Sequence, residues 1–387
     1  MPGGFSEAGI ERFHELAQRH VGSNAVPGLV ALIAHAGEVH VEALGELTIG
    51  GPAVARDSLF RIASTTKPIT AALTLALVRE GLIALDEPVD ALIPELADRR
   101  VLHNTDGPLE KTTAAWRPIT PRDLLTFTFG FGMATEMFLA REPWPIMRAE
   151  QELGLATLGP PDPAAQPDQD TWIARLGSLP LLAQPGERWL YNTGASVLGV
   201  LAARASGEPF AEALRTRLLE PLGMRDTGFW TPSSDRLATA YAPTPAGLVV
   251  WDPPEGIYSR PPSFCDGAAG LVSSADDLHA FARMLLDGGG ELLPRELVHE
   301  MTRDQLSDDQ KHHGGLGPDF FVGCSWGFCQ AVYDDGSYGW EGGFGSSWHV
   351  DPARELCAIV LTQRRFESPE LPAVHAELRA AAYAALR

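Results

Sequence analysis

Apolar positions fall in short strand-like blocks near both ends of the chain and at helical spacing through its middle. After an N-terminal stretch of helical period, "PGLVALIAHAGEVHVEALG" carries two apolar runs, Leu29 to Ala34 and Val39 to Leu44, around Gly37, and predicts a β-hairpin. The C-terminal third has the same alternation of runs and turns. Asp335 and Gly336 separate two strand-like runs in "WGFCQAVYDDGSYGW", and Asp351 and Pro352 separate two more in "SSWHVDPARELCAIVLTQ". An alanine-rich helix is expected over Leu371 to Arg387. Between these ends, Ile69 to Arg79, Pro121 to Thr126, Ala195 to Ala205 and Phe210 to Leu219 have helical spacing, and "LGPPDPAAQPDQD", Leu158 to Asp170, reads as a long polar loop. Strands at both ends with helices between them predict an α+β fold whose antiparallel sheet is assembled from the two termini, with a mostly helical lobe inserted. No internal repeat is present.

Length and composition change this picture little: 387 residues at 45% apolar content can bury a large core. Charge excludes more. Fifty Asp and Glu face 30 Lys and Arg, and the net charge of -20 repels nucleic acid and anionic membranes. No apolar segment approaches the roughly 20 residues that cross a bilayer, so no membrane association is expected. The N-terminus "MPGGFSEAGIERFHELAQRH" is acidic and of helical period where a secretory signal needs a basic start and an unbroken apolar run, which predicts a cytoplasmic protein. Cys265, Cys324, Cys329 and Cys357 lack the paired short spacing of zinc sites and are expected to be buried free thiols. His312 and His313 lie in a Gly-rich loop without companion ligands, so neither a metal nor another cofactor is implied.

The candidate chemistry lies in "FRIASTTKPITAALTLALV". Ser64 stands where a helix should begin, because Ile69, Leu73, Ala76 and Leu77 share a face, Pro68 suits a first turn and Gly81 supplies the stop. Lys67, three residues on, falls on the Ser64 side of that helix. Lys67, Lys111 and Lys311 are the only lysines in a chain that otherwise prefers arginine. A guanidinium stays protonated at any useful pH, whereas a desolvated amine can accept a proton, so a base beside a nucleophile has to be lysine.

Six stretches in order, "SLFRIASTTKPITA", "ITPRDLLTFTFG", "QPGERWLYNTGASVLG", "EPLGMRDTGFW", "GAAGLVSSADDLHAFARMLL" and "GWEGGFGSSWHVDP", resemble the serine β-lactamase and penicillin-binding-protein superfamily, especially class C β-lactamases and family VIII carboxylesterases. The resemblance runs nearly end to end. It implies a β-lactamase/transpeptidase-like fold with a discontinuous sheet lobe (1–78 and 265–387), a mainly helical lobe (79–264) and an active site in the cleft between them. It also implies that Ser64 is acylated, that Lys67 accepts its proton or activates it electrostatically, and that Tyr191, matching the family's YxN tyrosine, relays a proton to the leaving group. A nearby ammonium is expected to lower the tyrosine pKa.

Two positions depart from the β-lactamase pattern. Thr193, which the resemblance places among the substrate-binding residues, replaces the asparagine that helps hold lysine and the substrate amide, and Trp340, Glu341 and Gly342, followed by Gly343, replace KTG. The latter is similar to the WxG pattern of family VIII esterases. It implies an indole wall at Trp340, glycines at 342 and 343 that let substrate approach the strand, and an oxyanion hole from the N–H groups of Ser64 and Gly343. No Gly-x-Ser-x-Gly elbow is present, and His349 has no triad partners. The expected function is hydrolysis of small carboxylic esters through an acyl-serine. An acyltransferase, a β-lactamase or DD-peptidase and a non-catalytic binding module are the alternatives.

Overall fold

A computed structural model describes residues 4–22, 26–157, 163 and 166–387. Its centre is one seven-stranded antiparallel sheet. The strands are β1 (Gly28–His35), β2 (Glu38–Gly45), β3 (Cys324–Trp326), β4 (Ala331–Tyr333), β5 (Tyr338–Gly342), β6 (Ser346–Asp351) and β7 (Leu356–Thr362). Their spatial order is β2-β1-β7-β6-β5-β4-β3, so β1 and β7, from opposite ends of the chain, pair in the interior from Leu29↔Thr362 to His35↔Leu356. The hairpin expected at Gly37 forms with a two-residue turn in which Ala36 and Gly37 both have positive φ, 50° and 86°, the twist that suits adjacent strands.

Strand β1 shows why the sheet needs cover on both faces. Leu29, Ala31 and Ile33 pack with Phe13 and Ala17 of α1 (Glu7–His20) and with Leu378 and Ala382 of the C-terminal helix, Ala373–Ala384. Val30, Leu32 and Ala34 point the other way, into the main core with Leu278 and Phe281 of the helix Ala275–Leu286. Seven consecutive apolar or glycine positions thus serve two layers, which is why the run is continuous and not alternating.

The helix that begins at the Ser64 stretch, α2 (Thr66–Arg79), is buried at every position from Thr66 to Leu77. One apolar face was expected; a helix enclosed on all sides is found, lying against α3 (Thr193–Ser206). It stops as expected: Gly81 (φ 74°) and Leu82 donate back to Val78 and Leu77, closing a Schellman motif. The helix expected over Phe210 to Leu219 is regular only to Leu214 and widens into a π-turn at Arg215–Leu219. Of the polar loop expected from Leu158 to Asp170, residues 158–162 and 164–165 lie outside the described residues. Its end is helical, because the Asp168 carboxylate accepts the Thr171 N–H at 3.0 Å and caps the helix Gln169–Ser178. Among the described residues no helix is long and apolar enough to cross a membrane.

Candidate active site

Ser64 sits in a single 3₁₀ turn, Ala63–Thr65, between the short strand Phe60–Arg61 and α2. The turn is strained: Ala63 has φ 41°, a left-handed conformation that costs a non-glycine residue about 1–3 kcal/mol. Its neighbours hold it. Ile62 N–H donates to Leu271 at 3.0 Å, Ser346 Oγ donates to the Ile62 carbonyl at 2.7 Å, and the Thr65 and Ser346 hydroxyls meet at 2.9 Å. A Cβ on Gly342 would lie 2.0 Å from the Ile62 oxygen, so the sheet can receive this turn only where β5 carries a glycine. The result is a half-buried Ser64 on an otherwise buried segment.

Lys67, the second residue of α2, is wholly enclosed. Its Nζ donates to Ser64 Oγ at 2.9 Å and to the Ala268 carbonyl at 2.8 Å, and lies 4.6 Å from the centre of the Tyr191 ring. Burial penalises the ammonium and pushes Lys67 down from 10.5 to about 7, with the Asp266 carboxyl pulling the other way. At neutral pH a large share of this amine is therefore unprotonated and free to take the serine proton.

Tyr191 is presented by a second strained turn. Asn192 has φ 85° and ψ −65°, and Thr193 N–H donates back to the Tyr191 carbonyl at 3.2 Å, a γ-turn. The Asn192 amide secures it by donating to the Thr157 carbonyl at 2.9 Å, and Tyr191 exchanges backbone hydrogen bonds with Met133. Phe127, Trp189, Trp326 and Trp340 surround the ring. The phenol oxygen accepts the Trp340 Nε1–H at 2.8 Å and interacts with the Ser64 side chain. Its pKa is not lowered. Burial raises it well above the ordinary value, and the hydrogen bonds from Ser64 and Trp340 offset only part of that, so Tyr191 stays protonated at neutral pH.

The structure brings Ser64, Lys67, Tyr191 and Trp340 together and changes the parts expected of three positions besides Tyr191. Trp340 is 8% exposed, stands edge-on to Trp326 at 4.6 Å, and spends its one N–H on Tyr191; it acts on the tyrosine more than it walls the cleft. Gly342 admits the Ile62 carbonyl, not a substrate, while the Cβ direction of Gly343 meets nothing within 4 Å and opens on free space. Thr193 was expected to touch substrate. It is 0% exposed at the start of α3, and its hydroxyl has no partner among the described residues. Sequence reasoning missed Asp266, just before the "GAAGL" stretch, Ala268 within it, and the aromatic cage of Phe127, Trp189 and Trp326; these residues carry no spacing signal and are recruited by contact alone.

A serine with its lysine one helical turn away, packed on β5 and β6 of an antiparallel sheet built from both ends of the chain and facing a tyrosine from an inserted helical region, defines the β-lactamase/transpeptidase-like fold. The chain belongs to the beta-lactamase family, whose model matches residues 13–383. It is 38% identical over 332 residues to Protein Rv1367c of Mycobacterium tuberculosis, covering 81% of this chain and 79% of that one. It is 32% identical over 388 residues to Esterase EstB of Burkholderia gladioli, covering 92% and 91%. Among solved structures, EstCE1, a hydrolase with promiscuous acyltransferase activity, superposes with a TM-score of 0.81 at 24% identity over 97% of this chain and 99% of that chain.

Proposed function

We propose that this protein is a serine hydrolase that cleaves small carboxylic esters through an acyl-Ser64 intermediate. The observation that carries the reading is the hydrogen bond of 2.9 Å between Ser64 Oγ and a buried Lys67 amine whose proton is held only to about pH 7. The unprotonated amine takes the Ser64 proton as Oγ attacks the ester carbonyl. Backbone N–H groups of Ser64 and Gly343 receive the negative charge that develops on the carbonyl oxygen. Tyr191, held protonated by burial, gives its proton to the departing alkoxide and is resupplied from the Lys67 ammonium. Water then attacks the acyl group with the same groups in reverse roles, releasing the acid and restoring Ser64. Residues 1–78 and 265–387 supply Ser64, Lys67 and Gly343 from one lobe, and 79–264 supply Tyr191 from the other.

The similarity to EstB supports an ester substrate. So does Trp340, which stands where β-lactamases have a cation: an indole whose N–H is already given to Tyr191 offers nothing to the carboxylate of a penicillin or cephalosporin. Losing one charge-assisted hydrogen bond is worth about 1.5–3 kcal/mol, or roughly one to two powers of ten in specificity. Purified protein should therefore turn over p-nitrophenyl butyrate with a higher kcat/KM than nitrocefin, and Ser64→Ala should abolish both turnover and phosphonate labelling. Equal or better nitrocefin turnover, or labelling retained at another serine, defeats the proposal. Raising the concentration of an alcohol acceptor separates hydrolysis from acyl transfer, since the acyl-enzyme is common to both.

A further inference from the structure

Asp266 is a buried carboxyl, 6% exposed, with no cation in ion-pair contact among the described residues. Its Oδ1 accepts the Ser196 hydroxyl of α3 at 2.6 Å and the Ala268 N–H at 2.9 Å. The other side of Ala268 is its carbonyl, and that oxygen accepts Lys67 Nζ at 2.8 Å. Asp266 and Lys67 thus hold the two backbone polar groups of one residue, Ala268, and Lys67 in turn holds Ser64. The segment cannot slide: Thr70 Oγ1 of α2 donates to the Gly267 carbonyl at 2.8 Å, Leu271 N–H donates to Thr66 Oγ1 at 3.2 Å, and a Cβ on Gly267 would lie 2.4 Å from the Ala195 carbonyl of α3. The segment from Asp266 to Leu271 is clamped between the helix that carries the base and the helix that follows the tyrosine.

The ionisable groups around the pair are few. Lys67 is faced by Asp266, by the Cys329 thiol and by the Tyr191 phenol. Asp266 is faced by Lys67 and Ser196, with the Cys265 thiol beside it on its own segment. Burial raises both thiols, and it raises Tyr191, so all three stay neutral near pH 7. Burial also raises the Asp266 carboxyl and outweighs the Ser196 hydroxyl, the Ala268 N–H and the charge of Lys67, so Asp266 holds its proton more tightly than an ordinary carboxyl and a proton on Lys67 favours its ionised form. Among the described residues Asp266 is the one acid placed to balance an ammonium at Lys67.

We propose that Asp266 is a positioning residue for the Ser64–Lys67 pair: its carboxyl anchors the N–H of Ala268, the residue whose carbonyl holds Lys67 Nζ, and its ionised form balances the Lys67 ammonium formed when Ser64 gives up its proton. This rests on Ser64 and Lys67 being the reacting pair. Asp266 touches no reacting atom and acts through Lys67.

With only three lysines in the chain, the titration of Lys67 can be followed directly in protein labelled with ¹³C at the lysine ε-carbon, its signal assigned by Lys67→Arg. Asp266→Asn keeps the Oδ1 acceptor for Ser196 and Ala268 and removes the charge. The Lys67 midpoint should fall by on the order of one pH unit, the effect of one charge several ångströms away at an effective dielectric near 20. The acid limb of the kcat/KM profile should move with it. Ser196→Ala, which withdraws a hydrogen bond from the ionised carboxylate, should shift both in the same direction by less, and it carries the test if Asp266→Asn fails to fold. An unmoved midpoint in folded Asp266→Asn or Ser196→Ala, whether activity is kept or lost uniformly across pH, overturns the proposal. Ester hydrolysis with an unmoved midpoint refutes Asp266 and keeps the esterase; a moved midpoint in a protein that hydrolyses no ester does the reverse.

Discussion

Replacing Lys67 with methionine should yield a protein that is inactive and, at neutral pH, more stable. The lysine is fully enclosed, and burial lowers it from 10.5 to about 7, so keeping it in the folded chain below pH 7 costs about 4–5 kcal/mol at roughly 1.4 kcal/mol per pH unit. Methionine has similar length and no charge to desolvate. Against the gain stands the loss of Nζ as donor to the Ala268 carbonyl and Ser64 Oγ, which leaves a buried acceptor unsatisfied at about 1–3 kcal/mol. The net expectation is a stabilisation of about 2 kcal/mol at pH 6–7, with ester hydrolysis abolished, a trade of stability against function. Lys67 holds its proton more weakly folded than unfolded, so between about pH 7 and 10.5 the unfolded chain carries more protons and the parent gains stability as pH rises. Methionine has no proton to release. The difference between variant and parent should therefore be largest below pH 7, shrink above it and change sign toward pH 10.5. Urea midpoints and melting temperatures of both proteins across pH 6–10 measure this difference, and other titrating groups cancel in the subtraction. A variant less stable than the parent at pH 6–7, or a difference that does not vary with pH, refutes the assignment of a strongly depressed Lys67.

The kcat/KM for p-nitrophenyl butyrate should fall tenfold per pH unit below about pH 7 and hold level above it, since the free amine is the active form; an acid limb near pH 4–5 would point to a carboxylate base instead. Tyr191→Phe keeps the aromatic packing and removes the proton donor, so kcat should drop on the order of 10² to 10⁴ while the melting temperature changes little; near-normal turnover would return Tyr191 to a packing role. Trp340→Phe deletes the 2.8 Å donor to Tyr191, and kcat should fall about 2- to 12-fold, the worth of a hydrogen bond of about 0.5–1.5 kcal/mol, with KM nearly constant. Alanine at the two adjacent glycines should separate sharply. Gly342→Ala collides with the Ile62 carbonyl, displacing the Ser64 turn and lowering both stability and activity, whereas Gly343→Ala enters open space, folds normally and shows its effect in ester kinetics alone; equal melting temperatures for the two would refute the close approach.

The chain determined a good deal by local chemistry. Alternation and apolar runs marked β1, β2 and β4 to β7, because strand period and turn residues such as Gly37 and Gly336 act over a few neighbours. Ser64 and Lys67 were legible for the same reason: a helix puts residues three apart on one side, whatever surrounds it. Tyr191 and Trp340, in contrast, were legible only through resemblance, since nothing local in "WLYNTG" or "GWEGG" says that two side chains 149 positions apart will share a hydrogen bond. Tertiary structure decided the rest. It enclosed α2 on every side and so turned an ordinary lysine into a base near pH 7, a shift that belongs to burial and not to sequence spacing. It reversed the direction expected for Tyr191, because desolvation of the phenol outweighs the favourable contacts around it. It buried Thr193 at the start of α3, gave Gly342 to the Ile62 carbonyl, and placed Asp266 beside the Ala268 residue that holds Lys67. Each of these depends on atoms brought together from distant parts of the chain, and long-range contact is what a one-dimensional pattern does not encode.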